Sequence, residues 1–209
     1  MFDLDGVLVD SEPIHFRAAN RVLSRYGLAI GEDDYRAYIG LGEVATWTDW
    51  RARHRIDAPI AQLLAEHTDA RLREIAAGIS PIDPAVELAR RLAGDGMRLA
   101  IASSSTRSVI DALLTALGVA DAFSTRVSGE DPDVHASKPA PDVYLRAAER
   151  LGLSPSTCLA IEDSAPGVTA AKRAGMLCVA VPSRWTRDQD FSEADVVLES
   201  LRYFPLLAL

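Results

Sequence analysis

At 209 residues, with 48% hydrophobic and 25% charged side chains, the chain has the balance of a globular protein, large enough for one core domain carrying an insertion. A formal net charge of −8 excludes general binding to nucleic acid or anionic membranes, which needs a basic surface field. No apolar run is long enough for a membrane span and no charged-then-apolar leader is evident, so the expected compartment is the cytoplasm and the expected state a monomer.

In chain order, "MFDLDGVLVDSE" opens with an apolar run that ends at Asp3 and Asp5, two carboxylates one residue apart. Only Met1 and Phe2 precede Asp3, fewer than the roughly five residues of a typical strand, so the first strand is expected to be truncated or loosely anchored. Residues 14–78 then follow a helical period. Ile14, Ala18, Val22 and Tyr26 share one face, Ile60, Leu63, Leu64 and His67 another, and Trp47 and Trp50 are spaced as a core stripe. "RARHR" at 51–55 reads as a solvated helix face. "GISPIDP" returns the chain to a helix, with Asp83 as its expected cap and Pro84 at its first position.

From residue 84 onward strands and helices alternate. Apolar runs at 99–102, 158–161 and 177–181 and a weaker one at 125–128 are separated by helical segments ending at Gly118, Leu151 and Gly175. This alternation predicts an α/β fold, a doubly wound parallel sheet with helices on both faces and sites at the carboxyl ends of its strands. The expected division is an α/β core of residues 1–10 and 84–209 with a helical insertion at 11–83. Cys158 and Cys178 lie in apolar runs and read as reduced core thiols.

Four polar clusters fall on one rim of that sheet: Asp3 and Asp5, the serines 103–105, Lys138 and Glu162–Asp163. Singly, each is an ordinary turn or cap; together they suit phosphoryl transfer. Carboxylates at strand ends hold a hard cation such as Mg²⁺, while Ser103, Ser104 and backbone N–H groups at a helix start bind phosphate oxygens. Asp3 then serves as nucleophile, Lys138 neutralises charge, and Asp5 serves as acid and base. Lysine is otherwise nearly absent: of 22 basic residues only Lys138 and Lys172 are lysines. Its retention at 138 points to a need for a compact ammonium, whereas Lys172 is expected to face solvent.

These residues resemble the haloacid dehalogenase superfamily, in its β-phosphoglucomutase and phosphoglycolate phosphatase branch. "DLDGVLVDSE" matches its first motif, Ser103 in "AIASSS" its second, Lys138 in "SKPAPDVY" its third, and Glu162 and Asp163 in "AIEDSAPGV" its fourth. The resemblance implies a Rossmann-like core and a small helical cap over the site. It implies a metal held by Asp3, the main-chain carbonyl of Asp5 and Asp163, with Glu162 behind them. It also implies that His15 contacts substrate and helps position the acid/base; the alternative is a half-buried hinge histidine. Where mutase relatives carry an arginine, counted from Gly40 in "YIGLGEVATW", this chain has Glu43, which reads as a helix-start acid.

The reading is therefore a Mg²⁺-dependent phosphatase of a small phosphorylated metabolite, a sugar phosphate or similar, working through an aspartyl-phosphate. A phosphomutase is the second reading and a catalytically silent binding protein the third. A phospho-signalling receiver would lack both the helical insertion and the acid pair after the lysine.

Overall fold

The computed structural model describes residues 1–39 and 42–204. Its strands are β1 (Ala100–Ser103), β2 (Thr125–Ser128), β3 (Leu159–Glu162), β4 (Leu177–Ala180) and the short β5 (Val196–Val197). The sheet is completed in its middle by residues 1–3. Phe2 N–H donates to the Ala100 carbonyl at 2.8 Å and the Phe2 carbonyl accepts from Ala102 at 2.9 Å. On the other flank Asp3 N–H donates to the Ile161 carbonyl and Ile161 N–H to the Met1 carbonyl, both at 2.9 Å. The order is β2, β1, residues 1–3, β3, β4, β5, all parallel. The segment before Asp3 is thus not loosely held: Phe2 is bonded to β1 on one flank, and Met1 and Asp3 to β3 on the other.

The pleat sends alternate side chains to opposite faces. Phe2, Ile101, Ile161 and Val179 enter one buried cluster, while Met1, Ala100, Ala102, Ala160 and Cys178 enter the other. Three strands end in the polar residue that the sequence placed just beyond an apolar run or at its end: Ser103, Ser128 and Glu162. Both cysteines are buried and free, and burial beside Glu162 and Asp195 pushes the Cys178 thiol up to about 12.

The helical insertion comprises α1 (Glu12–Leu23), α2 (Glu32–Arg36), α3 (Glu43–His54) and α4 (Ile60–Ala77). Its own core includes Ala18, Val22, Leu23, Tyr35, Trp47, Trp50 and Leu63. The indole rings of Trp47 and Trp50 meet edge-to-face at 5.1 Å, and residues 51–55 are exposed. Arg17 and Arg21 of α1 both bond Glu74 of α4 at 2.7 Å, tying together the two helices that pack most closely. Gly40, from which the arginine-to-glutamate comparison is counted, lies outside the described residues.

The remaining helices are α5 (Asp83–Gly94), α6 (Arg107–Leu117), α7 (Asp142–Leu151) and α8 (Ala165–Arg173). α5 and α6 cover the Phe2 face and α7 and α8 the alanine-rich face. Asp83 is the first residue of α5 rather than its cap; Ile82 holds the cap position and no side chain caps it. Lys172 faces the surface as expected, in an ion pair. It is half-buried and bonds Asp195 at 2.6 Å, and Asp195 in turn accepts from Cys178 N–H.

One seam joins insertion and sheet at the loop after β4. Trp185, in the loop after β4, donates its indole N–H to Asp10 at 3.0 Å, and the guanidinium of Arg36 from α2 lies 4.8 Å from the Trp185 ring.

Candidate active site

The carboxyl ends of the strands bring Asp3, Asp5, Ser103, Lys138, Glu162 and Asp163 to one rim, and the insertion adds His15. Lys138 is the hub. Its ammonium donates to Asp3 at 2.6 Å, to Glu162 at 2.7 Å and to the Ala102 carbonyl at 2.9 Å, using all three of its protons. Glu162, fully buried, also accepts from the Tyr144 hydroxyl at 2.5 Å and from Asp163 N–H at 3.2 Å, so it holds its neighbours in place.

Asp3, Glu162 and Asp163 present carboxylate oxygens that lie within 4.8 Å of one another. Three buried carboxylates face one ammonium, which leaves two negative charges uncompensated. The physical signs of that deficit are clear. Burial, opposed by Lys138 and reinforced by Glu162 and Asp5, pushes the Asp3 carboxyl up; burial together with Asp3 and Glu162 pushes Asp163 up as well. A hard divalent cation fits this all-oxygen set and removes the deficit. The space is kept by glycine: at Gly6, with φ +80°, a Cβ would sit 2.1 Å from an Asp163 oxygen. At Gly167, on the first turn of α8, a Cβ would sit 2.0 Å from a Glu162 oxygen.

Asp5 belongs to a different environment, and its carboxylate is not part of that cluster. Its carboxylate accepts from the Ser105 hydroxyl at 2.7 Å and more weakly from Ser103 at 3.4 Å. His15 Nε2 is 3.5 Å away and the guanidinium of Arg71 3.6 Å. Burial opposes ionisation, but His15, Arg71 and Ser105 prevail and hold Asp5 far below the usual carboxylate range. Two acids one residue apart are therefore driven in opposite directions.

Ser103 is buried and accepts from Ser105 N–H at 3.0 Å, whereas Ser104 is exposed. The hydroxyl aimed at Asp5 comes from Ser105, a residue the motif comparison passed over. Arg71 was also missed. It is only 1% exposed, and from α4 it reaches Ser105 at 2.9 Å and Glu43 at 2.8 Å. Its signal was present: extending the buried stripe through His67 by four residues arrives at Arg71, a charge on an apolar face. Glu43 is the first residue of α3, as a helix-start acid should be, yet its side chain turns inward to Arg71.

Comparison with known proteins decides the family. The profile described as haloacid dehalogenase-like hydrolase matches residues 1–181. The chain belongs to the haloacid dehalogenase-like hydrolase family. Within this family it is 39% identical over 208 residues to protein CbbY of Rhodobacter capsulatus, covering 93% of this chain and 89% of that protein. It is 35% identical to hexitol phosphatase B of Escherichia coli (strain K12), covering 96% and 91% of the two chains. A crystal structure of a CbbY variant from Rhodobacter sphaeroides in complex with xylulose-(1,5)bisphosphate superposes with a TM-score of 0.89 at 29% identity, covering 97% and 93%. The haloacid dehalogenase-like fold, the branch and the class of phosphoric monoester hydrolase expected from the motifs all agree with these relatives.

Proposed function

We propose that the protein is a cytoplasmic Mg²⁺-dependent phosphatase of a small phosphorylated metabolite, a sugar phosphate, with Asp3 as nucleophile and Asp5 as acid and base. In this reading residues 11–83 act as a cap over the core formed by 1–10 and 84–209. The observation that carries it is the opposite environment of the two acids: Asp3 among Lys138, Glu162 and Asp163, Asp5 among hydroxyls, His15 and Arg71. The names of hexitol phosphatase B and of the xylulose-(1,5)bisphosphate complex support the substrate class.

The residues divide the reaction as follows. An oxygen of Asp3 attacks phosphorus, the ester P–O bond breaks opposite it, and the leaving oxygen takes a proton from Asp5. Lys138 faces the charge that develops beside Asp3, and Ser103 with the start of α6 orients the phosphoryl oxygens. In the second half Asp5 removes a proton from water, the water oxygen attacks phosphorus, and Asp3 is released with inorganic phosphate. The surroundings of Asp5 favour its carboxylate, the form this half needs; a phosphate dianion close by raises its proton affinity for the first half. Mg²⁺, held by Asp3, Asp163 and the main-chain carbonyl of Asp5 with Glu162 behind, would supply positive charge to the phosphoryl oxygens.

The test is phosphate release from p-nitrophenyl phosphate and a panel of sugar phosphates with and without Mg²⁺, for the wild type and Asp3→Asn. Metal-dependent turnover that disappears in a folded Asp3→Asn protein is expected; unchanged turnover in that variant refutes the mechanism.

A further inference from the structure

We propose that the cap cavity receives the uncharged, hydroxyl-bearing end of a phosphate monoester through Glu43 and His67, so that the enzyme selects monophosphorylated sugars or polyols over bisphosphates. The inference rests on the phosphatase reading and names the substrate class of that same site.

The cavity, of about 100 Å³, is walled by Tyr35, Trp47 and Trp50 and carries His15, Glu43 and His67 as polar groups. His15 also approaches Asp5, so the cavity continues from the place where the leaving oxygen takes its proton. A substrate with its phosphate at Asp3 extends its carbon skeleton this way. The volume suits a short hydroxylated chain.

His67 is 4% exposed, and among the described residues its Nε2 has no hydrogen-bond partner. Its Nδ1 lies 3.3 Å from a Glu43 carboxylate oxygen. A buried imidazole offers one donor and one acceptor; with Nδ1 facing Glu43, leaving Nε2 unmet is costly. A hydroxyl group satisfies either. The aromatic walls accept the C–H faces of a sugar, as is common where a few polar groups set orientation in an apolar pocket.

The charge of the cavity excludes a second phosphate. Burial opposes ionisation of Glu43, but His67 and Arg71 hold its carboxyl down at about 2, so it is anionic at neutral pH. Burial pushes the His67 imidazole down, which keeps it neutral. The nearby guanidinium of Arg71 already gives Nη1 to Glu43 and Nη2 to Ser105, which leaves only its buried Nε unpartnered among the described residues. A phosphate dianion next to Glu43 would meet like charge away from bulk water. A metal ion on His15, Glu43 and His67, whose ligand atoms lie within 4.8 Å of one another, is disfavoured by the same Arg71 at 2.8 Å from Glu43.

The experiment measures kcat/KM at saturating Mg²⁺ for p-nitrophenyl phosphate, a hexose monophosphate and the corresponding hexose bisphosphate. The wild type should prefer the monophosphate by roughly tenfold or more, Glu43→Gln should narrow that ratio, and His67→Phe should raise KM for the monophosphate more than it lowers kcat. A wild-type enzyme that turns over the bisphosphate as well or better overturns the inference, and this comparison needs no variant to fold. Failure to hydrolyse any ester, p-nitrophenyl phosphate included, instead overturns the phosphatase reading on which it rests.

Discussion

Replacing Lys138 separates charge from shape. Its ammonium serves three acceptors at 2.6–2.9 Å from a side chain that is 8% exposed. Lys138→Ala leaves Asp3, Glu162 and Asp163 with no ammonium among them, and breaking a buried pair from one side costs about 3–5 kcal/mol. Its stability should therefore depend on Mg²⁺ more than the wild type's, and kcat/KM should fall about 10²–10³-fold through lost transition-state stabilisation. Lys138→Arg restores the charge but not the geometry. A planar, longer fork cannot reproduce three bonds from one nitrogen, and it must displace Asp3 or the bound phosphate. Since misplacing a catalytic group by about 1 Å can cost about 10²-fold, Lys138→Arg should stay about 10²-fold below wild type. Lys172→Arg, whose half-exposed pair with Asp195 is worth about 1 kcal/mol at most, is the control and should be nearly silent. The assay is steady-state phosphate release at saturating Mg²⁺, with thermal melting in Mg²⁺ and in chelator. Near-wild-type turnover by Lys138→Arg would refute the argument from shape and reduce the residue to a source of positive potential.

Asp163→Ala should raise the Mg²⁺ concentration needed for half-maximal activity by an order of magnitude or more, read from a metal titration; an unchanged requirement would remove Asp163 from the metal set. Gly6→Ala must both adopt φ +80° and displace the Asp163 carboxylate, so it should lose metal-dependent turnover and about 1–3 kcal/mol of stability, read by denaturant melts. The rise in melting temperature given by Mg²⁺ should be small at pH 5 and grow towards pH 8. The raised Asp3 and Asp163 carboxyls keep protons in the metal-free fold that they shed in the unfolded chain, so metal-free stability falls as pH rises and metal binding recovers it. A Mg²⁺ shift independent of pH would contradict those environments. Asp5→Asn should block turnover yet still allow slow formation of a phosphorylated Asp3 from an activated ester, detectable by mass spectrometry.

The core was legible because its strands were apolar runs and three of them end in a polar residue, and the pleat fixes which side chains share a rim. Asp3, Ser103, Lys138, Glu162 and Asp163 meet for that reason. What the run could not show was pairing. Two residues before Asp3 looked too few for a strand, but strand length matters less in the middle of a sheet, where both flanks supply hydrogen bonds. The contributions from the insertion were harder to read, because Arg71 and Glu43 act across a tertiary contact that no local period encodes. A charge on a buried stripe marked Arg71, and nothing local told that Ser105 rather than Ser104 would meet it. Asp83 was misplaced for a related reason: a cap cannot be distinguished from the residue beside it by spacing alone.

The seam at Trp185 makes the protein its own optical probe. Trp47 and Trp50 are sealed in the interior of the insertion and should emit as buried indoles whatever the insertion does as a body. Trp185 instead donates its indole N–H to Asp10, next to the start of the insertion, and its ring is flanked by Arg36 of the insertion at 4.8 Å and by Arg184 at 4.6 Å. If residues 11–83 move as the proposed cap, Arg36 leaves the Trp185 ring while Asp10, on the core side, stays, so one fluorophore of three should change while two hold constant. Removing Trp47 and Trp50 by aromatic substitution would leave a single-tryptophan enzyme in which opening is followed in real time without a label.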